Sequence, residues 1–202
     1  MPGTWLPATP AAEAFILAGG ESSRMGRDKA GVRLGGRTLL AWAKAAAREA
    51  GLPVRIVRRD AVPAGGPVGG VVTGLRQARA DVVVFLACDQ PFVPAAWLRR
   101  LARAARTRAA FPADAEGRVG FPFAVPAGGR PAVEAFWEEG GRALQALATA
   151  LQARRLQASG RQAAALQNLN TPHQLAAARA ARLISRRAGG GPRGPVRPRP
   201  PP

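Results

Sequence analysis

Three short polar segments hold residues whose types and spacing could do chemistry. The first is LAGGESSRMGRDK, Leu17–Lys29, which follows an apolar run and carries three glycines. The adjacent Gly19 and Gly20 let a backbone turn tightly and present unhindered N–H groups, which suits a nucleotide's base, ribose or phosphates. Arg24 and Lys29 add positive charge for phosphate oxygens. The segment is not a Walker A loop, because its glycine-to-lysine spacing differs and no Ser or Thr follows the lysine; a G-x-G-x-x-G fingerprint is absent too. The plainer reading is a glycine turn with exposed charges. A long polar combination directly behind a buried strand favours the ligand loop instead. Lys29 adds weight: of the 30 basic residues only Lys29 and Lys44 are lysines. In a chain that writes Arg almost everywhere, a Lys marks a place for a compact ammonium.

The second segment is Cys88-Asp89-Gln90-Pro91, at the end of DVVVFLACD. A carboxylate after a wholly apolar strand costs solvation unless something pairs with it. A divalent cation that bridges to phosphates is a natural partner, since Mg²⁺ takes one or two carboxylates plus phosphate oxygens and waters. The competing reading is a turn or cap Asp ahead of Pro91. Cys88 reads as a small buried residue rather than a nucleophile, because the chain has one histidine, His173, far from it in sequence. The third segment is NLNTPHQL, Asn168–Leu175. Thr171 as N-cap, Pro172 at the first helical position and Gln174 at the third make a capping box. That pattern leaves Asn168 and Asn170 unexplained, and their amides could contact a ligand. His173 reads as a surface helix residue.

These segments need a frame to bring them together. Ala14–Ala18, Val54–Val57 and Asp81–Ala87 read as buried strands. Shorter strand-like pieces stand near Ala109–Pro112 and Gly120–Val125. Helices are expected from the Thr38 cap to about Ala50, ended by Gly51 and Pro53, and from Pro94 to about Arg106. Pro131–Glu139 and Arg142–Arg155 are helical by pattern, and a last helix starts at Thr171. GGPVGG, Gly65–Gly70, reads as a glycine turn feeding the helix VVTGLRQARA. Strands alternating with helices predict an α/β fold: a three-layer, mostly parallel twisted sheet with helices on both faces. Such sheets bind ligands beyond the carboxyl ends of their strands, where the first two polar segments fall.

Composition narrows the class. The 202 residues suit one α/β domain, and 47% apolar residues exclude wholesale disorder. The expected division is a loose extension over residues 1–13, the domain over 14–185 and a disordered Arg/Pro-rich tail over 186–202. A single cysteine allows neither an intramolecular disulfide nor a cysteine-based zinc site, so a reducing, cytoplasmic setting is expected. The opening MPGTWLPATPAA lacks a basic start and an apolar stretch, so no signal peptide is expected, and no run is long enough for a membrane span. The net charge of +18 first suggests nucleic acid. Five arginines sit in the tail, however, and others such as Arg99, Arg100, Arg103 and Arg106 have the spacing of a solvated helix face. Specific nucleic-acid binding is not expected.

Taken together, Leu17-Ala18-Gly19-Gly20, Ser23-Arg24-Met25-Gly26 and Asp28-Lys29 resemble the nucleotide-binding signature of the molybdenum cofactor guanylyltransferases. So do Gly66-Pro67-Val68-Gly69-Gly70, Cys88-Asp89-Gln90-Pro91-Phe92 and Asn168-Leu169-Asn170-Thr171-Pro172. All six segments fall in the family's order, and the resemblance spans roughly residues 14–180. It implies the nucleotide-diphospho-sugar-transferase-like fold. It also implies that Leu17, Ala18, Gly19, Gly20 and Asp60 hold GTP, with Lys29 on its phosphates. Asp89 would bind Mg²⁺, and Asn168 and Asn170 would lie near the pterin substrate. Arg58 and Arg59 stand where the family has a nucleotide-contacting Asn, and Phe121-Pro122-Phe123 replaces a more polar stretch.

The implied reaction joins GMP from GTP to the terminal phosphate of molybdopterin and releases pyrophosphate. The attacking phosphate oxygen is already anionic, so no strong general base is required. The sequence agrees, with no Ser/His/Asp set and no paired catalytic carboxylates. Catalysis would be positioning and charge neutralisation by Mg²⁺, Lys29, Arg24 and backbone N–H groups. The resemblance leaves room for a protein that delivers molybdopterin or a molybdoenzyme chaperone. Two rival readings remain: a molybdopterin cytidylyltransferase or another small-molecule nucleotidyltransferase of this fold, and a non-catalytic nucleotide- or RNA-binding protein. LAGG and the NxNTP segment favour guanine.

Overall fold

The computed structural model describes residues 11–19, 29–59, 61–62, 66–158, 160–171, 173–178 and 180. The expected extension is covered only from residue 11, and the expected Arg/Pro tail lies outside the described residues.

The strands β1 (Ala12–Leu17), β4 (Val54–Val57), β5 (Val82–Ala87), β6 (Ala110–Ala113), β7 (Phe123–Pro126) and β8 (Arg154–Gln157) form one sheet in the order β4-β1-β5-β7-β6-β8. β4, β1 and β5 pair in parallel, as do β6 and β8, while β7 runs antiparallel to both β5 and β6. The sheet is therefore mostly parallel, with one reversed strand at its middle. Short strands β2 (Arg33–Leu34) and β3 (Arg37–Thr38) make a separate hairpin.

Alternation along β1 and β5 sends side chains to two faces. One face, with Ala14, Ile16, Val82, Val84 and Leu86, packs on α1 (Leu39–Glu49) and α3 (Ala95–Ala104) through Leu40, Ala43, Leu98 and Leu101. The other, with Phe15, Val83 and Phe85, packs on α2 (Gly66–Gln77), α4 (Arg130–Glu138) and α5 (Leu144–Ala150) through Val71, Val72, Leu75, Val133 and Leu147. This is the three-layer arrangement expected. Thr38 caps α1 by accepting from the Ala41 N–H at 3.1 Å, and Gly51 follows the helix with φ +78°, as its sequence announced.

Cross-strand phenylalanines tie the second face together. Phe15 pairs in register with Phe85, and Phe85 with Phe123; ring centroids are 6.2 and 5.3 Å apart. Phe111 stacks on Phe123 at 4.2 Å. Burying each such ring contributes about 2–3 kcal/mol. This layer of rings also corrects the expectation for GGPVGG. Gly66 to Gly70 are not a turn ahead of the helix but its first turns. Further along the same helix α2 lies close on the rings: a Cβ at Gly74 would stand 2.6 Å from Phe85 Cε1. Packing overrides the low helix propensity of glycine.

A second correction concerns Arg142–Arg155. The helix α5 covers only Leu144–Ala150, and Arg154–Gln157 forms the edge strand β8. Residues of good helix propensity adopt a strand because β6 offers a free edge, with Ala110–Ala113 pairing Arg154–Gln157 in parallel. A short helix α6 (Arg161–Ala165) follows. Residues 173–178 are helical, and His173 is exposed as expected. Leu169, Leu175 and Ala178 pack on Leu34 and Leu39, so the hairpin and α1 hold the last described segment.

Candidate active site

The carboxyl ends of β4, β1, β5, β6 and β8, with the start of β7, share one edge of the sheet. On its left half, Leu17 and Ala18 are half-buried and Gly19 is exposed. The Ala18 N–H donates to Val57 O at 2.8 Å, which ties the exit of β1 to that of β4. A Cβ at Gly19 would collide with the Arg58 carbonyl oxygen. The first glycine of the loop is thus demanded by the neighbouring chain as well as by any ligand. Gly20, Arg24 and Asp60 lie outside the described residues; for Lys29 the backbone is described, opening a 3₁₀ turn over Lys29–Gly31. Thr73 anchors the approach to Asp60. Its hydroxyl donates to Gly69 O and accepts from the Ala61 N–H, both at 2.8 Å.

Asp89 stands in the middle, just past β5, and is buried with 8% of its surface exposed. Its carbonyl accepts from the Leu169 N–H at 2.8 Å. That bond brings the third polar segment onto the second, although about 80 positions separate them in sequence. The capping box forms as expected: the Gln174 N–H donates to Thr171 Oγ1 at 3.1 Å, and Gln174 Oε1 accepts from the Asn170 and Thr171 N–H groups at 2.8 and 3.1 Å. Cys88 is buried in the core beside Asp89.

The right half is a cavity of about 890 Å³ at the ends of β5, β6 and β8. Gln90, Phe121, Gln157, Gln167 and Asn168 line it, and Pro67 brings the start of α2 to its wall. Asn168 therefore stands where a second ligand would sit; Asn170 is not among the lining residues. At the rim, the Arg118 guanidinium contacts Asp114 at 2.8 Å and Glu116 at 2.9 Å. The hydrogen bond from Arg118 holds the Asp114 carboxyl below the usual carboxylate range, and the same bond raises Arg118. Phe121-Pro122-Phe123 divides its work: Phe123 is wholly buried in the ring layer, and half-buried Phe121 gives the cavity an aromatic wall.

Sequence reasoning missed Gln90, Gln157, Gln167 and the Asp114–Arg118 rim. Gln157 was hidden by the helical reading of β8. Gln90 carried no motif weight of its own beside Asp89.

A family model described as the MobA-like NTP transferase domain matches residues 14–158, which span β1 through β8. The chain belongs to that family. Membership makes it a nucleotidyltransferase. A molybdenum cofactor guanylyltransferase of Pseudomonas entomophila is 33% identical over 157 residues, covering 68% of this chain and 82% of that protein. A probable molybdenum cofactor guanylyltransferase of Opitutus terrae is 43% identical over 109 residues; the match covers 45% of this chain and 54% of that relative's length. Among solved structures, the Archaeoglobus fulgidus molybdopterin-guanine dinucleotide biosynthesis protein A superposes with a TM-score of 0.67 at 19% identity, covering 85% of this chain and 99% of that one. A Mycobacterium tuberculosis protein in complex with manganese has a TM-score of 0.55 at 18% identity, covering 85% and 99%. The structural likenesses establish the nucleotidyltransferase fold.

Among the described residues, no helix is long and apolar enough to cross a membrane. Nor do three His, Cys, Asp or Glu side chains stand together as a metal cage. What Asp89 offers is a single hard oxygen donor set. That fits a cation completed by phosphate oxygens and waters, as Mg²⁺ is, and does not fit a soft metal needing thiolates or imidazoles.

Proposed function

We propose that this MobA-like protein transfers GMP from GTP to the terminal phosphate of Mo-molybdopterin, forming the molybdopterin guanine dinucleotide. The observation that carries the reading is the place of Asp89, between the exit of β1 at Leu17–Gly19 on one side and the large side-chain-lined cavity on the other. In this reading Leu17, Ala18, Gly19, Gly20 and Asp60 hold the nucleotide, and Arg24 and Lys29 meet its phosphates. The pterin occupies the cavity: Phe121 suits the face of a planar heterocycle, and the amides of Gln157, Gln167 and Asn168 suit its N–H and C=O edges. Asn170 lies two residues further along the same segment.

A terminal phosphate oxygen of the acceptor attacks the α-phosphorus of GTP, a new P–O bond forms, and the bond to pyrophosphate breaks. No proton must be removed first, which agrees with a site lacking a positioned base. Asp89 would hold Mg²⁺, whose chemistry is to draw the phosphate oxygens of two polyanions together and neutralise them. The backbone of Asp89 is fixed at the end of β5 by the bond from the Leu169 N–H to its carbonyl. The start of α2 beside the cavity supplies the positive end of a helix dipole. The reaction belongs in the cytoplasm, with molybdopterin handed over by a delivering protein or a molybdoenzyme chaperone.

Arg58 and Arg59 at the exit of β4 make base choice the point to test. Calorimetry of GTP and CTP with Mg²⁺ should give tighter GTP binding, by about tenfold or more. Tighter CTP binding would make the protein a cytidylyltransferase, and salt-sensitive RNA binding with neither nucleotide bound would make it a non-catalytic binder.

A further inference from the structure

Four polar side chains are buried among the described residues: Glu13, Thr73, Asp89 and Gln90. Glu13 accepts from the Arg79 and Ala80 N–H groups and so closes the turn between α2 and β5. Thr73 anchors Ala61. Gln90 is different, because its partners are the walls of the cavity. Its amide Nε2 donates to Phe121 O at 2.9 Å and to Leu166 O at 2.5 Å, across 31 and 76 positions of sequence. Two carbonyls fix which end of the amide is nitrogen, since the flipped amide would set oxygen against oxygen. The cost of that orientation is visible: Gln90 Oε1 is buried and accepts no hydrogen bond from the described residues. A buried acceptor left so is expensive, and it is tolerated where the donor end is needed.

Both held residues line the cavity, and Leu166 leads directly to Gln167 and Asn168. The next residue, Leu169, donates its N–H to the carbonyl of Asp89. The dipeptide Asp89-Gln90 thus fixes the metal-binding carboxylate and, through the next side chain, two walls of the neighbouring cavity. We propose that Gln90 is a positioning residue for the acceptor: it sets the width of the cavity and the place of Asn168 relative to Asp89. The nucleotide half, built from β1 and β4, does not depend on it. The inference rests on the acceptor occupying this cavity.

The test uses the full chain with GTP, Mg²⁺ and molybdopterin. Gln90→Met keeps the side-chain length and removes both donated bonds. It should raise the acceptor KM about tenfold or more, as expected for losing two hydrogen bonds, and leave GTP affinity within about twofold. Gln90→Leu, similar in volume and without donors, should show the same split; it decides the matter if hydrogen exchange in β5 shows that the Met variant has lost its fold. An unchanged acceptor KM, or acceptor and GTP affinities falling together, overturns the role given to Gln90. Wild-type protein that makes no dinucleotide overturns the acceptor assignment instead, so the two failures are distinct.

Discussion

The two halves of the sheet edge flank the same carboxylate but are made from different material. On the side of β1 and β4 the contacts of the described residues are backbone. Ala18 is hydrogen-bonded to Val57, and Gly19 lies so close to the Arg58 carbonyl that no side chain fits. On the side of β6 and β8 the walls are side chains: an aromatic ring, several amides and an acid–base rim around about 890 Å³. Backbone N–H groups suit the phosphates common to all nucleotides. Side-chain amides suit one particular heterocycle. In the function proposed above, main chain at Leu17–Gly19 joins Arg24, Lys29 and Asp60 on the nucleotide, and the cavity's side chains meet the distinguishing substrate.

Breaking the shared centre should have the largest effect. Asp89→Ala removes the carboxylate common to both halves and should lower the Mg²⁺-dependent rate by ~10²–10³ or more, the usual loss for one well-placed electrostatic group. Near-normal turnover in a steady-state assay would take Asp89 out of the site. On the nucleotide side alone, Lys29→Arg should slow turnover by about tenfold to a hundredfold, because a planar guanidinium cannot replace a compact ammonium at a phosphate. Activity equal to wild type would show that the scarcity of lysine meant nothing at this position. Gly19→Ala should be milder. Forcing a methyl against Arg58 costs about 1–3 kcal/mol, read as weaker GTP binding by calorimetry with acceptor affinity unchanged. An equal loss on both sides would erase the division between the halves.

The smallest effect belongs to the rim. Asp114 is depressed below its ordinary 3.8 chiefly by the hydrogen bond from Arg118. A depressed carboxyl keeps its link at every pH above the ordinary value and loses it only as pH falls through the lowered one. The rim should therefore be indifferent to pH across the neutral range. Carboxyl titration by NMR should place Asp114 below 3.8, and Arg118→Ala should return it to the usual range. A midpoint already at or above 3.8 in the wild type would contradict the assignment.

The strands and caps on the side of β1 and β5 were legible because their signals are local. An apolar run ending in two glycines, and an apolar strand ending in Asp89, announce themselves in a dozen residues. The capping box at Thr171 and the cap at Thr38 are local too, and both formed. Apart from Asn168, the side of β6 and β8 was not legible, for physical reasons that differ from piece to piece. β8 is an edge strand with mostly exposed residues, so Arg154–Gln157 lacks the alternation that marks a buried strand and carries helix-forming residues instead. α2 carries four glycines of poor helix propensity, and at Gly74 the ring layer beneath it leaves no room for a side chain. β7 reads as a strand, but nothing in its sequence says that it runs against its neighbours. Gln90 gains its place only from carbonyls 31 and 76 positions away. Contacts of that range are decided by the folded whole.

The most direct test of the two-sided site is to incubate the protein with GTP, Mg²⁺ and molybdopterin and weigh the product by mass spectrometry. The site described here predicts the molybdopterin guanine dinucleotide together with one pyrophosphate per dinucleotide. Absence of any dinucleotide, or its formation from CTP in preference to GTP, would contradict the assignment.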